Sequence, residues 1–220
     1  MSMRVISTMS LALLAGIAAA PALGEDQAWQ WYLGAGIPVT NIESSGFIAD
    51  AAAEGFTVAD ELADVTIGWQ GTLGVMVSGH FGAEVRYSAS GNARDEPTIS
   101  NLSATPLRGS SKTDIDGITV YGIGRWPLTG HLDLLGKLGY TFQDLSLDVQ
   151  FPTVFEPGVG LVGSGIDVSD DDDGFAAAFG FRIRVNDRWA VVAEAEYLAV
   201  DFDGRLDEPI RGSMNLEYVF

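Results

Sequence analysis

Glu194 and Glu196 stand two residues apart in an alternating segment. On a strand that spacing puts two carboxylates on one face, about 6–7 Å from each other. Paired carboxylates at such a distance are candidates for general acid and base. Arg182 and Arg184 repeat the spacing on the preceding segment. A hairpin between the two is expected to set the arginines beside the glutamates and keep both carboxylates ionised. The reading favoured here is therefore an ion-pair cluster, and no catalytic residue is assigned.

Other chemistry-bearing patterns are weaker. Gly158 to Gly163 spells GxGxxG, but a dinucleotide site needs that motif between a strand and a helix. Here it sits in a Gly/Pro-rich loop, which makes it a chance match. Asp170 to Asp173, with Asp167 nearby, offer the oxygen ligands that calcium takes. Their spacing departs from the EF-hand pattern, and a solvated loop end is the preferred reading. The only histidines are His80 and His131, and there is no cysteine. No zinc site, other metal site, cofactor or disulfide is expected.

The elements that position these residues show a period of two. The clearest is Gly174 to Val185, with Phe175, Ala177, Phe179, Phe181, Ile183 and Val185 against Ala176, Ala178, Gly180, Arg182 and Arg184. The last ten residues divide the same way, with Met214, Leu216, Tyr218 and Phe220 against Arg211, Ser213, Asn215 and Glu217. Further strands are expected over Trp29 to Ile37, Val65 to Val77, Phe81 to Ser88, Asp116 to Trp126, His131 to about Asp148, and Trp189 to Val200. The faces of the Asp116 segment are the least distinct. Ser78–His80, Pro127–Gly130 and Asn186–Arg188 read as tight turns. Between them lie long loops, Pro38 to Asp64, Ala89 to Ile115 and Val149 to Asp173, and a shorter one from Asp201 to Ile210. A helical turn is expected within the first loop, over Ala49 to Glu54.

The chain has 220 residues and a formal net charge of −18 with only 19% charged residues. Such an acidic chain lacks the basic patch that phosphate backbones require, so nucleic acid is excluded as a partner. The first residues read as a secretory signal: Arg4, then the apolar Leu11 to Ala20, then the small residues Ala22 and Gly24. Cleavage is expected after Gly24, leaving a domain over 25–220. The absence of cysteine after the apolar core argues against a lipid anchor. No later apolar run is long enough for a transmembrane helix.

An even number of strands, eight, with short and long connections in rotation, fits an antiparallel up-and-down transmembrane β-barrel. A soluble sandwich has no reason to sort its connections this way. Glu84, Arg86, Lys137, Arg182, Arg184, Glu194, Glu196 and Glu217 all fall on the polar faces. A basic residue at the bilayer midplane costs about 2–4 kcal/mol, so these charges are expected to face the lumen and pair there. Trp29, Trp31, Phe81, Trp126, Trp189, Tyr218 and Phe220 mark one interface. Tyr87, Tyr140, Phe142, Phe175 and Tyr197 mark the other.

From WQWYLGAGI to the terminal NLEYVF, the sequence resembles the small outer-membrane β-barrels of the OmpA/OmpX type, barrel domain only. The ending resembles the assembly signal of such barrels, with Phe220 last and Tyr218 two before it. The resemblance implies export through the periplasm and insertion into the outer membrane of a Gram-negative cell. It also implies contact with outer-membrane lipid, lipopolysaccharide and the barrel-assembly machinery. A monomer is expected. So is a non-enzymatic envelope role, structural or in surface interaction, with loops facing the medium. Divalent-ion bridging from Asp170–Asp173 to lipopolysaccharide is a secondary idea. The alternatives are a narrow passive porin-like channel for ions or small solutes and a lipid-modifying enzyme. The second is disfavoured because both histidines fall at short turns, away from the outer rim.

Overall fold

A computed structural model of the protein describes residues 29–41, 56–58, 65–90, 93–95, 98–101, 107–108, 110–150, 154–156, 160–162, 165–200 and 209–220. The expected signal segment and the helical turn at Ala49 to Glu54 lie outside these residues. Eight long strands carry the fold: β1 Gln30–Asn41, β2 Val65–Met76, β3 Phe81–Ser90, β4 Ser110–Pro127, β5 Leu132–Gln150, β6 Gly165–Arg184, β7 Trp189–Ala199 and β8 Ile210–Val219. Each pairs antiparallel with the next, and β1 pairs with β8, so the sheet closes on itself. Closure leaves no unpaired edge among the eight, as a structure in hydrocarbon requires. Ala93–Asp95 adds a short piece onto β4. Small ladders also join Phe56–Val58 to Thr98–Asn101 to Leu107–Arg108, and Val154–Glu156 to Gly160–Val162.

The three short connections share one design. Val77, Leu128 and Val185 each donate a backbone N–H to the residue four positions on, at 2.8–2.9 Å. The next residue, Ser78, Thr129 or Asn186, then accepts two backbone N–H groups on its side-chain oxygen. Hydroxyl and amide side chains are favoured in turns for this bond. The turns are also stitched to their neighbours, through Arg125 N to His80 O, Arg184 N to His131 O and Val219 N to Arg188 O, at 2.7–2.8 Å.

Strand extents depart from expectation at two places. β1 runs on through Pro38 to Asn41, and Pro38 faces Ser213 of β8. Toward β2 the register skips from Gly36 to Val39. Proline has no N–H to give a ladder, so the strand passes it with one side unpaired there. On the other side of the barrel, β4, β5 and β6 reach 18, 19 and 20 residues. About 9–11 residues suffice to cross hydrocarbon, so these three stand well beyond it. The loop expected over Val149 to Asp173 is therefore shortened from both sides. Outside the membrane both faces of a strand can be wet, so alternation of apolar and polar residues is no guide to its end.

Alternation holds through the membrane zone except at the end of β2, where Val75, of outward parity, is buried like its neighbour Met76. Leu33, Ile37, Ile67, Leu73, Val85, Leu138, Phe179, Phe181, Ile183, Met214 and Leu216 are all exposed on the outside of the barrel. At the short-turn end Trp189, Tyr218 and Phe220 stack edge to face, with ring centres 4.9–5.3 Å apart. Toward the other end Trp69 meets Tyr87, and Tyr140 meets Phe142 and Phe175, at 5.3–5.6 Å. The faces of β4 are now plain: Tyr121, Ile123 and Thr119 are buried, while Ile118 and Trp126 are exposed.

Candidate functional site

The lumen is filled by side chains in three tiers. Eight strands enclose a space just wide enough for this, and the inward tyrosines occupy the room left by glycines opposite them. Tyr32 of β1 pairs with Gly74 of β2, and Tyr121 of β4 pairs with Gly139 of β5. A methyl group on Gly139 would stand 2.7 Å from the Tyr121 ring, and one on Gly74 would strike the Tyr32 ring. Both rings lie across the barrel and end on carboxylates: Tyr32 donates to Glu84 at 2.8 Å, and Tyr121 donates to Glu196.

The middle tier is a closed ion lattice. Arg86 reaches Glu84 at 2.9 Å, Glu194 at 2.5 Å and Glu196 at 3.3 Å. Lys137 reaches Glu84 at 2.9 Å and Glu194 at 2.5 Å. Arg211 adds a contact to Glu196 at 3.6 Å. Arg86 and Lys137 also lie over the Tyr121 ring, at 5.2 and 5.9 Å from its centre. Three cations thus meet three carboxylates drawn from four strands, all with side chains under 3% exposed. Charges so buried persist because each is paired and hydrogen-bonded.

Above this tier the lining is uncharged apart from Arg211, which spans the two. Gln70 donates to Asn215 at 2.6 Å, Thr119 and Thr141 share a bond at 2.8 Å, and Arg211 donates to Ser88 at 2.8 Å. Below it, toward the short turns, Arg182 meets Glu217 at 2.7 Å and Asp133 at 3.4 Å, and Arg184 meets Asp133 at 3.4 Å.

All eight charged residues singled out from the sequence lie on inward faces, yet their pairing differs from the expectation. Arg182 sits opposite Val192 and Arg184 opposite Ala190, while Glu194 and Glu196 sit opposite Gly180 and Ala178. The β6–β7 register therefore places the arginines a tier below the glutamates. The partners of Glu194 and Glu196 come from β3 and β5, across the lumen, and from the neighbouring β8, where Arg211 stands opposite Glu196. Sequence reasoning passed over Asp133, Arg125, Tyr32, Tyr121 and Arg211 as site members. Arg211 and Tyr32 had the right parity for inclusion. Tyr121 and Arg125 lay on the one strand whose faces were ambiguous.

The acidic run Asp170–Asp173 lies within β6, not in a loop end. Its partner strands make the outer surface there acidic too: Asp116 of β4, Asp144 of β5 and Asp171 of β6 stand in one row. The row is one pleat beyond the Ile118–Phe142 pair, past the aromatic belt. Between the two belts no outward residue of the eight strands is charged; Asp173, level with Phe142 and bonded by the Tyr140 hydroxyl, is the first carboxylate, at the belt itself. Burial, with the carboxylates of Asp114 and Asp144, holds the Asp116 carboxyl above its ordinary value, against the opposing pull of Lys112. A raised native value means that the folded state binds the proton more tightly. The barrel is therefore expected to gain stability as pH falls through that raised value toward the ordinary carboxylate range. Asp144→Asn should stabilise it at neutral pH by about 0.2–1 kcal/mol, read as a higher urea midpoint in micelles, and should flatten this pH response. Among the described residues no group of histidine, cysteine or carboxylate side chains forms a metal cage.

The comparisons with known proteins agree with this architecture. The family model described as outer membrane protein beta-barrel domain matches residues 9–217. The fold is similar to that of Ail, the attachment invasion locus protein of Yersinia pestis, with a TM-score of 0.53, 12% identity, and 87% of this chain and 99% of that one covered. It is similar also to Neisserial surface protein A, with a TM-score of 0.52, 12% identity, and 86% and 97% covered. No curated protein matches the sequence. A closed eight-stranded antiparallel sheet, greasy outside and ionic within, and a family match over nearly its whole length lead to one conclusion: the chain belongs to the outer membrane protein beta-barrel domain family.

Proposed function

We propose that the protein is a non-enzymatic component of a Gram-negative outer membrane, with a barrel closed to permeation and a role in envelope structure or surface interaction. In this reading residues 1–24 are removed on export. Tyr218 and Phe220 address the chain to the assembly machinery, and the barrel stands as a monomer among lipid and lipopolysaccharide. The observation that carries it is the middle tier. Arg86 alone holds Glu84, Glu194 and Glu196 from two strands on opposite sides of the lumen. Opening a path there would separate buried charges, which is among the costlier rearrangements a fold can make.

The location of the histidines supports a role without catalysis. His80 and His131 sit in the short turns, at the end opposite the extended strands β4–β6. The paired carboxylates Glu194 and Glu196 are locked to Arg86, Lys137 and Arg211, which leaves neither as a free base.

Planar bilayers test the reading. Refolded protein is expected to insert without conductance steps. Discrete steps that change with Arg182→Ala or Glu194→Ala would instead make it a narrow pore. A change in lipid A mass spectra that depends on the protein would make it an enzyme.

A further inference from the structure

We propose that the short-turn mouth of the lumen is a dead-end binding site for a small oxyanion of the phosphate type. A cavity of about 520 Å³ opens there, walled by Arg125, Arg182, Arg184, His80 and His131 and by the acids Asp133 and Asp187. Its charges are arranged unlike those of the tier above. In the middle lattice each cation is matched by a carboxylate. At the mouth the guanidinium groups of Arg125, Arg182 and Arg184 share only two buried carboxylates, Asp133 and Glu217. Asp187 belongs to an exposed turn at the rim, where water and salt screen it.

The surplus is concentrated on the cavity wall. Arg125 makes no ion pair among the described residues, and its Nε donates only to the Gly79 carbonyl at 3.2 Å. Arg184 has one ionic contact, at 3.4 Å, and its Nε is buried with no hydrogen-bond partner. Asp133 is divided between two arginines at 3.4 Å each, longer than a firm charge-assisted bond. Guanidinium groups left with open donors around a wet cavity suit a ligand with several acceptor oxygens, because their planar fork matches phosphate.

The site has a floor. Beyond it, between Arg182, Glu217, Lys137 and Tyr32, the free space falls to about 10 Å³. An anion entering from the turns therefore stops against the Arg182–Glu217 pair and leaves by the way it came. Binding at the mouth does not depend on the closed-barrel reading; only its description as a dead end does.

Titration calorimetry of the refolded full chain in zwitterionic micelles with inorganic phosphate tests the proposal. A saturable isotherm of one phosphate per barrel is expected. Arg184→Gln and Arg125→Gln should each weaken it about tenfold or more, since each removes charged hydrogen bonds to the ligand. Lys112→Gln, at the far end of β4, should leave it unchanged. The shift in gel mobility on boiling reports whether each variant is folded. Arg184 is half exposed and Asp133 keeps Arg182, so Arg184→Gln is expected to fold. Folded wild-type protein that gives no saturable heat overturns the site. So does affinity equal in wild type and both arginine variants, which would mark the binding as adventitious. To separate the site from the closed barrel, phosphate bound by a barrel that conducts would retain the anion site and remove the floor.

Discussion

Arg86→Met is expected to lower the unfolding free energy of the barrel by about 3–5 kcal/mol, the cost of removing one partner from a buried ion lattice. The side chain is fully buried and touches three carboxylates at 2.5–3.3 Å. Methionine matches much of its length but none of its charge. Glu84, Glu194 and Glu196 would then share Lys137 and Arg211 alone, so one buried carboxylate would have to take up a proton. The lattice also joins β3 to β7 across the lumen, so its loss is felt by both halves of the sheet. Urea unfolding in micelles, followed by tryptophan emission and by gel mobility, measures the difference. Arg86→Met combined with Glu194→Gln removes a charge of each sign and should recover more than half of the loss. If the single variant unfolds within about 1 kcal/mol of wild type, the lattice is not a main source of the barrel's stability.

Leu138→Arg should cost about 2–4 kcal/mol and slow insertion into bilayers, because it sets a guanidinium against hydrocarbon. Leu138 is 74% exposed, among the most open apolar side chains of the barrel, and lies between the two aromatic belts. In a soluble protein the same substitution at so exposed a position would be nearly neutral. The experiment therefore separates a lipid-facing surface from a water-facing one. Lys137, its neighbour in sequence, already carries a charge and is buried against Glu84 and Glu194. One step along β5 reverses what the site tolerates, which is the direct consequence of a side-chain period of two. An effect under about 0.5 kcal/mol would contradict the placement of this face in lipid.

Much of this architecture is legible in the sequence. Seven of the strands advertise their faces by alternation, as in Phe175 to Val185 against Ala176 to Arg184. The short turns announce themselves by Ser78, Thr129 and Asn186, whose side chains cap backbone N–H groups. The mid-strand charges could only face inward, since the alternative was hydrocarbon. Where reading failed, the cause is physical. Pro38 looked like a strand end, yet an interruption on one side of a ladder is tolerated while the β8 side still pairs it. Asp170 to Asp173 looked like a loop, because beyond the membrane a strand need not alternate. The β4 faces were obscured by Gly122 and Gly124 outside and by Tyr121 and Ile123 within.

The sequence by itself determined which side chains meet lipid and which meet the lumen, because strand parity is local and one buried error would bar insertion. Tertiary structure alone decided who pairs with whom. Arg182 and Glu194 lie on adjacent strands and the same face, yet a two-residue offset in register sends one to Glu217 and the other to Arg86 and Lys137. That offset is set by strand stagger around the whole closed barrel, a property of all eight strands together. The balanced middle tier and the arginine-rich mouth are its products, and no local pattern of residues records them.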